Sequence, residues 1–233
     1  EGAIRAAAAR LMRGMPMPYA VGKAAFRHLT LAVDARVLIP RPETEVLVDL
    51  ALMASGGVGT IADICTGSGC IALALAAEGS YDRVIATDVS PDALEVARIN
   101  IERHGLQQRM QVMPSDGLQQ AKQHEPSKGV FDLILCNPPY VNQDSMDVLP
   151  PEFLHEPALA LAGGVDGMDF IRPLLRQIAR HLSPEGALVL EIGHEIEHFT
   201  AAFPHLNGWW LPTSMGYQQV VLLTVQDLLE LEL

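Results

Sequence analysis

Asp63-Ile64-Cys65-Thr66-Gly67-Ser68-Gly69-Cys70 joins a short apolar run to a longer one rich in alanine and leucine. Read as strand, turn and helix, the glycines let a ligand approach the backbone, and the helix start offers free N–H groups. Asp88 closes the next apolar run, where an acid can hold ribose hydroxyls. Gly67-x-Gly69-x-x-Ala72 satisfies the dinucleotide fingerprint literally. Asp63, however, would set a carboxylate beside a pyrophosphate, so a cationic ligand suits the turn better. S-adenosylmethionine has a sulfonium and an amino group but no phosphate. A turn that only connects two elements is the plain alternative, and the downstream acid argues against it.

Asn137-Pro138-Pro139-Tyr140 follows directly on the apolar run Phe131–Cys136. Two prolines stiffen the backbone and remove two N–H donors, which frees nearby carbonyls for a substrate. The Asn137 side-chain oxygen is a further acceptor. Two acceptors would hold both hydrogens of a planar –NH2 group, and Tyr140 offers a flat face to pack it. Such a nitrogen is a poor nucleophile because its lone pair is delocalised. Aiming that lone pair at a methyl sulfonium makes catalysis a matter of proximity and orientation, without a strong general base and with the proton lost to water. A proline-rich loop start is the plain alternative, which the glycine-rich turn upstream disfavours.

Other signals carry less. His194-Glu195-Ile196-Glu197-His198 fits the zinc-peptidase pattern, but no third ligand follows, and a solvated helix face is the better reading. Cys136 reads as a small apolar strand-end residue rather than a nucleophile. Trp209-Trp210 reads as core packing or an edge strand. Arg41 and Glu45 could shape a site entrance or pair within a helix, and the two readings balance.

The elements that must position these residues alternate. Expected strands are Thr60–Ile64, Arg83–Thr87, Met110–Met113, Phe131–Cys136, Ala187–Ile192 and Gln219–Thr224. Expected helices are Ala3–Arg13, Glu43–Ala54, Gly69–Ala77, Pro91–His104, Met168–Leu182 and Glu195–Ala202. Leu29–Val33 and Val37–Ile39 have strand character. Such alternation builds a doubly wound α/β fold, a mostly parallel sheet with helices on both faces. Asn137–Gly167 departs from it, with five prolines and little periodicity. It starts at the carboxyl edge of a buried strand, where open sheets bind ligands.

The 233 residues include 16 Lys+Arg and 28 Asp+Glu, a net charge of −12. Direct nucleic-acid binding is therefore not expected. An apolar fraction of 49% excludes a disordered tail or a fibre. Cys65, Cys70 and Cys136 are odd in number and read as reduced thiols of a cytoplasmic protein. No secretory signal or membrane span is visible. The first residue is Glu rather than Met, which suggests a trimmed product.

Asp63–Gly69, Asp88 and Asn137–Tyr140 resemble the motifs of class I S-adenosylmethionine-dependent methyltransferases acting on nitrogen. Arg36-Val37-Leu38-Ile39-Pro40-Arg41-Pro42-Glu43-Thr44-Glu45 narrows the resemblance to the HemK/PrmC family, the glutamine methyltransferases of peptide-chain release factors. Pro18-Tyr19-x-x-Gly22-x-x-x-Phe26 and Glu156-Pro157-x-x-Ala160-Leu161-x-Gly163-Gly164-x-Asp166-Gly167 also resemble that family, so the likeness runs from Pro16 to Gly193. It implies a seven-stranded Rossmann-like sheet whose last strand is antiparallel. Residues 1–42 would be the remnant of an N-terminal region with a β-rich linker, and residues 43–233 the methyltransferase domain.

The resemblance also implies roles. S-adenosylmethionine would bind at Asp63, Cys65, Thr66, Gly67, Ser68 and Gly69 with its methionine end, at Asp88 with its ribose, and beside Asp116 and Gly117 with its adenine. Asn137 would lie against both cofactor and substrate. Asn137 and the Pro138 carbonyl would hold the glutamine amide, with Pro139, Tyr140 and Phe26 around it. The substrate would be the Gly-Gly-Gln glutamine of a release factor, with a ribosomal-protein glutamine or a DNA or RNA amino group as alternatives. Cys65 stands where the family usually has Gly, Gly117 where an aromatic residue is frequent, and Leu211–Thr224 lacks the common Asp-x-x-Gly-x-x-Arg ending. The resemblance implies a helical N-terminal domain that helps grip the release factor, and the roughly two dozen residues before the family signature imply weaker substrate recognition here.

Overall fold

The computed structural model describes residues 2–119, 131–213 and 216–232. Helix α1 (Gly2–Leu11) and the turn of helix α2 (Met17–Val21) lead into a hairpin of β1 (Lys23–Phe26) and β2 (Leu29–Ala32). Then follow α3 (Glu45–Ser55), β3 (Thr60–Ile64), α4 (Cys70–Glu78), β4 (Arg83–Asp88), α5 (Pro91–Arg103), β5 (Met110–Pro114) and β6 (Phe131–Cys136). The chain ends with α6 (Gln143–Asp147), α7 (Ile171–Ile178), β7 (Leu182–Glu191), α8 (Ile196–Ala202), β8 (Trp209–Thr213), β9 (Gly216–Thr224) and α9 (Val225–Leu229).

Seven strands form one sheet in the order β5-β4-β3-β6-β7-β9-β8, and β9 runs antiparallel to both of its neighbours. This is the class I methyltransferase sheet, with the antiparallel strand that the sequence reading expects. Strands β3 and β6 are apolar on successive residues because both faces are covered: Ala62, Ile64, Ile134 and Cys136 pack on one side, Ile61, Leu133 and Leu135 on the other. Helix α4 is buried from Cys70 through Ala76, so its small and aliphatic side chains fit between sheet and neighbouring helices.

The chain winds outward from β3 to β4 and β5, then returns to place β6 on the other side of β3. Between β3 and β6 the winding reverses, and a crevice opens beyond the carboxyl ends of those strands. Ile64 is the register partner of Cys136. The glycine-rich turn and the Asn-Pro-Pro-Tyr turn therefore emerge side by side.

Several expectations shift. The helix expected over Met168–Leu182 spans only Ile171–Ile178, and β7 begins at Leu182, which pairs with Phe131 before an irregularity leads to the Leu133–Ala187 pair. Val37–Ile39 is no strand. Val37 and Ile39 are buried, and the Ile39 N–H goes to the Glu156 carboxylate at 3.0 Å rather than to a ladder. Trp209–Trp210 does lie on an edge strand, with Trp210 edge-on to Phe199 at 5.6 Å. Among the described residues, no helix is long and apolar enough to cross a membrane.

Candidate active site

Cys65 leaves β3 with φ +59°, in the left-handed region that favours glycine. The turn takes that Cβ, and Cys65 lines a cavity of about 270 Å³ together with Gly67, Asp88, Asp116, Gly117 and Asn137. A Cβ added at Gly67 or Gly117 would meet no atom within 4 Å, so both backbones stand open. Asp88 is fixed from two sides: Gly67 N–H donates to Oδ2 and Ser90 N–H to Oδ1, each at 2.9 Å. Burial raises its pKa, with those backbone donors opposing.

Asp63, Thr66 and Ser68 are buried beside this cavity rather than lining it. Asp63 Oδ2 accepts from Thr66 Oγ1 at 2.5 Å and Ala72 N–H at 3.2 Å, which holds the turn against the start of α4. Its Oδ1 has no hydrogen-bond partner among the described residues. Burial pushes the Asp63 carboxyl up to about 7, and the Thr66 and Ala72 donors oppose that shift. Ser68 contributes its carbonyl, which accepts from Asn100 Nδ2 at 2.9 Å. Asn100 also exchanges two hydrogen bonds with Ala32, tying the hairpin to the turn.

A second cavity, of about 350 Å³, is lined by Arg41, Asn137, Pro138, Tyr140, Glu191 and Gly193 among others. Asn137 lines both cavities, as do Leu38 and Ala160. Asn137 Nδ2 donates to Thr44 Oγ1 at 3.1 Å, and among the described residues no donor is seen on its oxygen. Pro139 faces the first cavity and Pro138 and Tyr140 the second.

Tyr140 sits among three glycines. A Cβ on Gly163 would stand 2.7 Å from its Cα, one on Gly167 2.2 Å from its carbonyl oxygen, and one on Gly193 2.4 Å from its ring. The Tyr140 hydroxyl donates to Glu191 Oε1 at 3.0 Å, and burial raises the phenol pKa well above its ordinary value. Phe26 lies apart from both cavities. It is 1% exposed and packs in the core with Leu31 and Leu47. An aromatic residue at a hairpin end can face the core or a ligand, and local sequence does not distinguish the two.

Arg41 and Glu45 divide between their two readings. Arg41 pairs with the buried Glu156, lies 5.2 Å from the Phe153 ring centre, and lines the second cavity. Glu45 accepts from Arg27 N–H at 2.8 Å, a contact that anchors the hairpin. In the segment His194–His198, Glu195 accepts from Asn142 Nδ2 at 2.7 Å and pairs with His198 Nδ1 at 2.6 Å. Among the described residues no cluster of three metal-ligating side chains exists. Cys136 is fully buried with its thiol pKa raised by desolvation, which suits packing and not attack.

Thr44, Glu156 and Glu191 were not singled out for roles by the motif chemistry. Glu191 carried a signal, as a lone acid ending the apolar run Ala187–Leu190.

Comparison with known proteins fits this geometry. The methyltransferase small domain family matches residues 42–164. The ribosomal protein uL3 glutamine methyltransferase of Bordetella pertussis is 45% identical over 224 residues, which cover 94% of this chain and 73% of that protein. The enzyme of the same name from Neisseria gonorrhoeae is 41% identical over the same shares. A methyltransferase from Pyrococcus furiosus superposes with a TM-score of 0.61 at 19% identity, over 94% of this chain and 97% of that one. Human methyltransferase 10 domain containing protein gives 0.58 at 16% identity, over 96% of each.

The chain belongs to the methyltransferase small domain family, on the class I S-adenosylmethionine-dependent fold. Its activity is that of a protein-glutamine methyltransferase, and its cofactor is S-adenosylmethionine. The first cavity fits that cofactor, with open glycine backbones, a fixed carboxylate at Asp88 and, among the described residues that line it, no basic side chain beyond Arg36.

Proposed function

We propose that this protein methylates the side-chain amide of a glutamine in ribosomal protein uL3. The names of its relatives support uL3 over the release factor that the signature segment suggests. A release-factor glutamine stays as the second reading, carried by the stretch Ile39–Glu45. A ribosomal protein as substrate supports a cytoplasmic location. The net charge of −12 supports a protein partner over naked nucleic acid.

The observation that carries the reading is Asn137, whose side chain lines both cavities. In this reading the turn Cys65–Gly69, above buried Asp63, receives the methionine end of the cofactor. Asp88 takes the ribose hydroxyls, and Asp116 and Gly117 lie beside the adenine. When bound, the cofactor supplies a methyl group on a positively charged sulfur. Asn137 Oδ1 and the Pro138 carbonyl accept the two amide hydrogens of the glutamine and fix the nitrogen at the junction. Pro139 stiffens that edge, and Tyr140 packs the amide plane. Orientation is the main contribution, since an amide nitrogen must present its lone pair along one line.

Mass spectrometry of purified uL3 incubated with this protein and S-adenosylmethionine tests the reading. One methyl on a single glutamine is expected. Methylation of a release factor with uL3 left unmodified would select the second reading.

A further inference from the structure

The second cavity holds an acid to which the roles above give no task. Glu191 ends β7, is 3% exposed and lines the cavity with Asn137. Tyr140 donates to its Oε1, while Oε2 has no partner in close hydrogen-bond geometry among the described residues. Thr44 is 2% exposed, accepts from Asn137 Nδ2, and has its hydroxyl within hydrogen-bonding reach of the Glu191 carboxylate. A buried carboxylate oxygen left unpaired costs stability, and the Thr44 hydroxyl is the donor placed to satisfy it beside Asn137.

We propose that Glu191 is a positioning residue: its carboxylate accepts a hydrogen bond from the Thr44 hydroxyl, so that Thr44 Oγ1 stays an acceptor for Asn137 Nδ2 and Asn137 Oδ1 is kept toward the substrate amide. The proton order then runs from Asn137 to Thr44 to Glu191, with Tyr140 donating from the other side. Without the carboxylate, the Thr44 proton can turn toward Asn137. The Asn137 amide then flips and presents a donor where the glutamine needs an acceptor. The inference rests on the glutamine amide occupying this cavity, and it adds the group that sets its acceptor.

The arrangement needs the charged form. Burial pushes the Glu191 carboxyl up to about 7, while Thr44, Tyr140 and Asn137 favour ionisation. The other charged or titratable groups facing it are Glu43 and Cys70, with Arg41 and His194 across the cavity. The Asn137 orientation should therefore weaken as pH falls through about 7.

The test is NMR of the Asn137 side-chain amide, on the whole protein with S-adenosylhomocysteine, with kinetics on uL3 alongside. In the wild type, the Asn137 Nδ2 protons should shift with a midpoint near neutral pH. Glu191→Gln should abolish that shift and lower kcat about tenfold, with the KM for the cofactor unchanged. Glu191→Asp should recover part of the shift. An Asn137 amide signal that ignores both pH and Glu191→Gln would overturn the proposal, and the wild-type titration reads this even if the variant folds poorly. Failure of uL3 methylation with the NMR shift intact would instead fault the substrate reading.

Discussion

Ile64 and Cys136 are register partners on the adjacent parallel strands β3 and β6, where the direction of winding reverses. One residue beyond each strand end, the chain delivers Cys65 on one side and Asn137 on the other. Both line the first cavity. The register of two buried strands thus brings together two turns more than seventy residues apart in the chain. A slip of one residue would turn the side chains of either strand to the opposite face.

The glycines around Tyr140 give the first prediction. Gly193 has φ +54°, and a Cβ there would overlap the Tyr140 ring. Gly193→Ala should cost about 2–3 kcal/mol of stability from backbone strain and overpacking. It should also displace the hydroxyl from Glu191. Denaturant unfolding and turnover should fall together, whereas unchanged turnover would show that Tyr140 has room to move.

Asp63 predicts a pH effect on stability. Its folded pKa of about 7 lies above the ordinary 3.8, so the folded state binds more protons than the unfolded one between those values. The Asp63 contribution to stability therefore falls as pH rises through that window. In Asp63→Asn, the amide oxygen can keep both hydrogen bonds and no charge is buried. The difference in Tm, variant minus wild type, should become more positive from pH about 5 to pH about 8. A difference independent of pH would mean that Asp63 titrates normally.

Glu156 joins two covers of the site. Its carboxylate receives Ile39 N–H and the Arg41 guanidinium, and Arg41 lies near the Phe153 ring. Glu156→Gln keeps the shape and removes the charge, so Arg41 loses its anchor at the second cavity. The KM for the protein substrate should rise about tenfold with kcat nearly unchanged, the pattern of lost uniform binding. Steady-state kinetics would check this, and a fall in kcat alone would place Glu156 at the chemistry instead.

Much of this was legible in the sequence, for physical reasons. Thr60–Ile64 and Phe131–Cys136 are read with their observed bounds because buried parallel strands are short, mainly apolar runs closed by turn residues. Asp88 and Asn137 stand out because they end such strands. Tertiary pairings were not legible. The partners of Glu156 are more than a hundred residues away, and nothing local marks Phe26 as core rather than site. Val37–Ile39 has the apolar character of a strand, yet Val37 and Ile39 are buried in a small cluster with Tyr19, Val33 and Val96 rather than in a ladder.

The most direct test of the account is Asn137→Ala, measured for cofactor affinity and turnover on the same preparation. The side chain lines both cavities, but Asp88, the glycine-rich turn and Asp116 form the first one largely without it. Turnover should fall by at least about a hundredfold, through lost orientation of the amide, while calorimetry gives a Kd for S-adenosylmethionine close to that of the wild type. A parallel loss of cofactor binding would contradict the account, making Asn137 a support of the cofactor cavity rather than the holder of the glutamine.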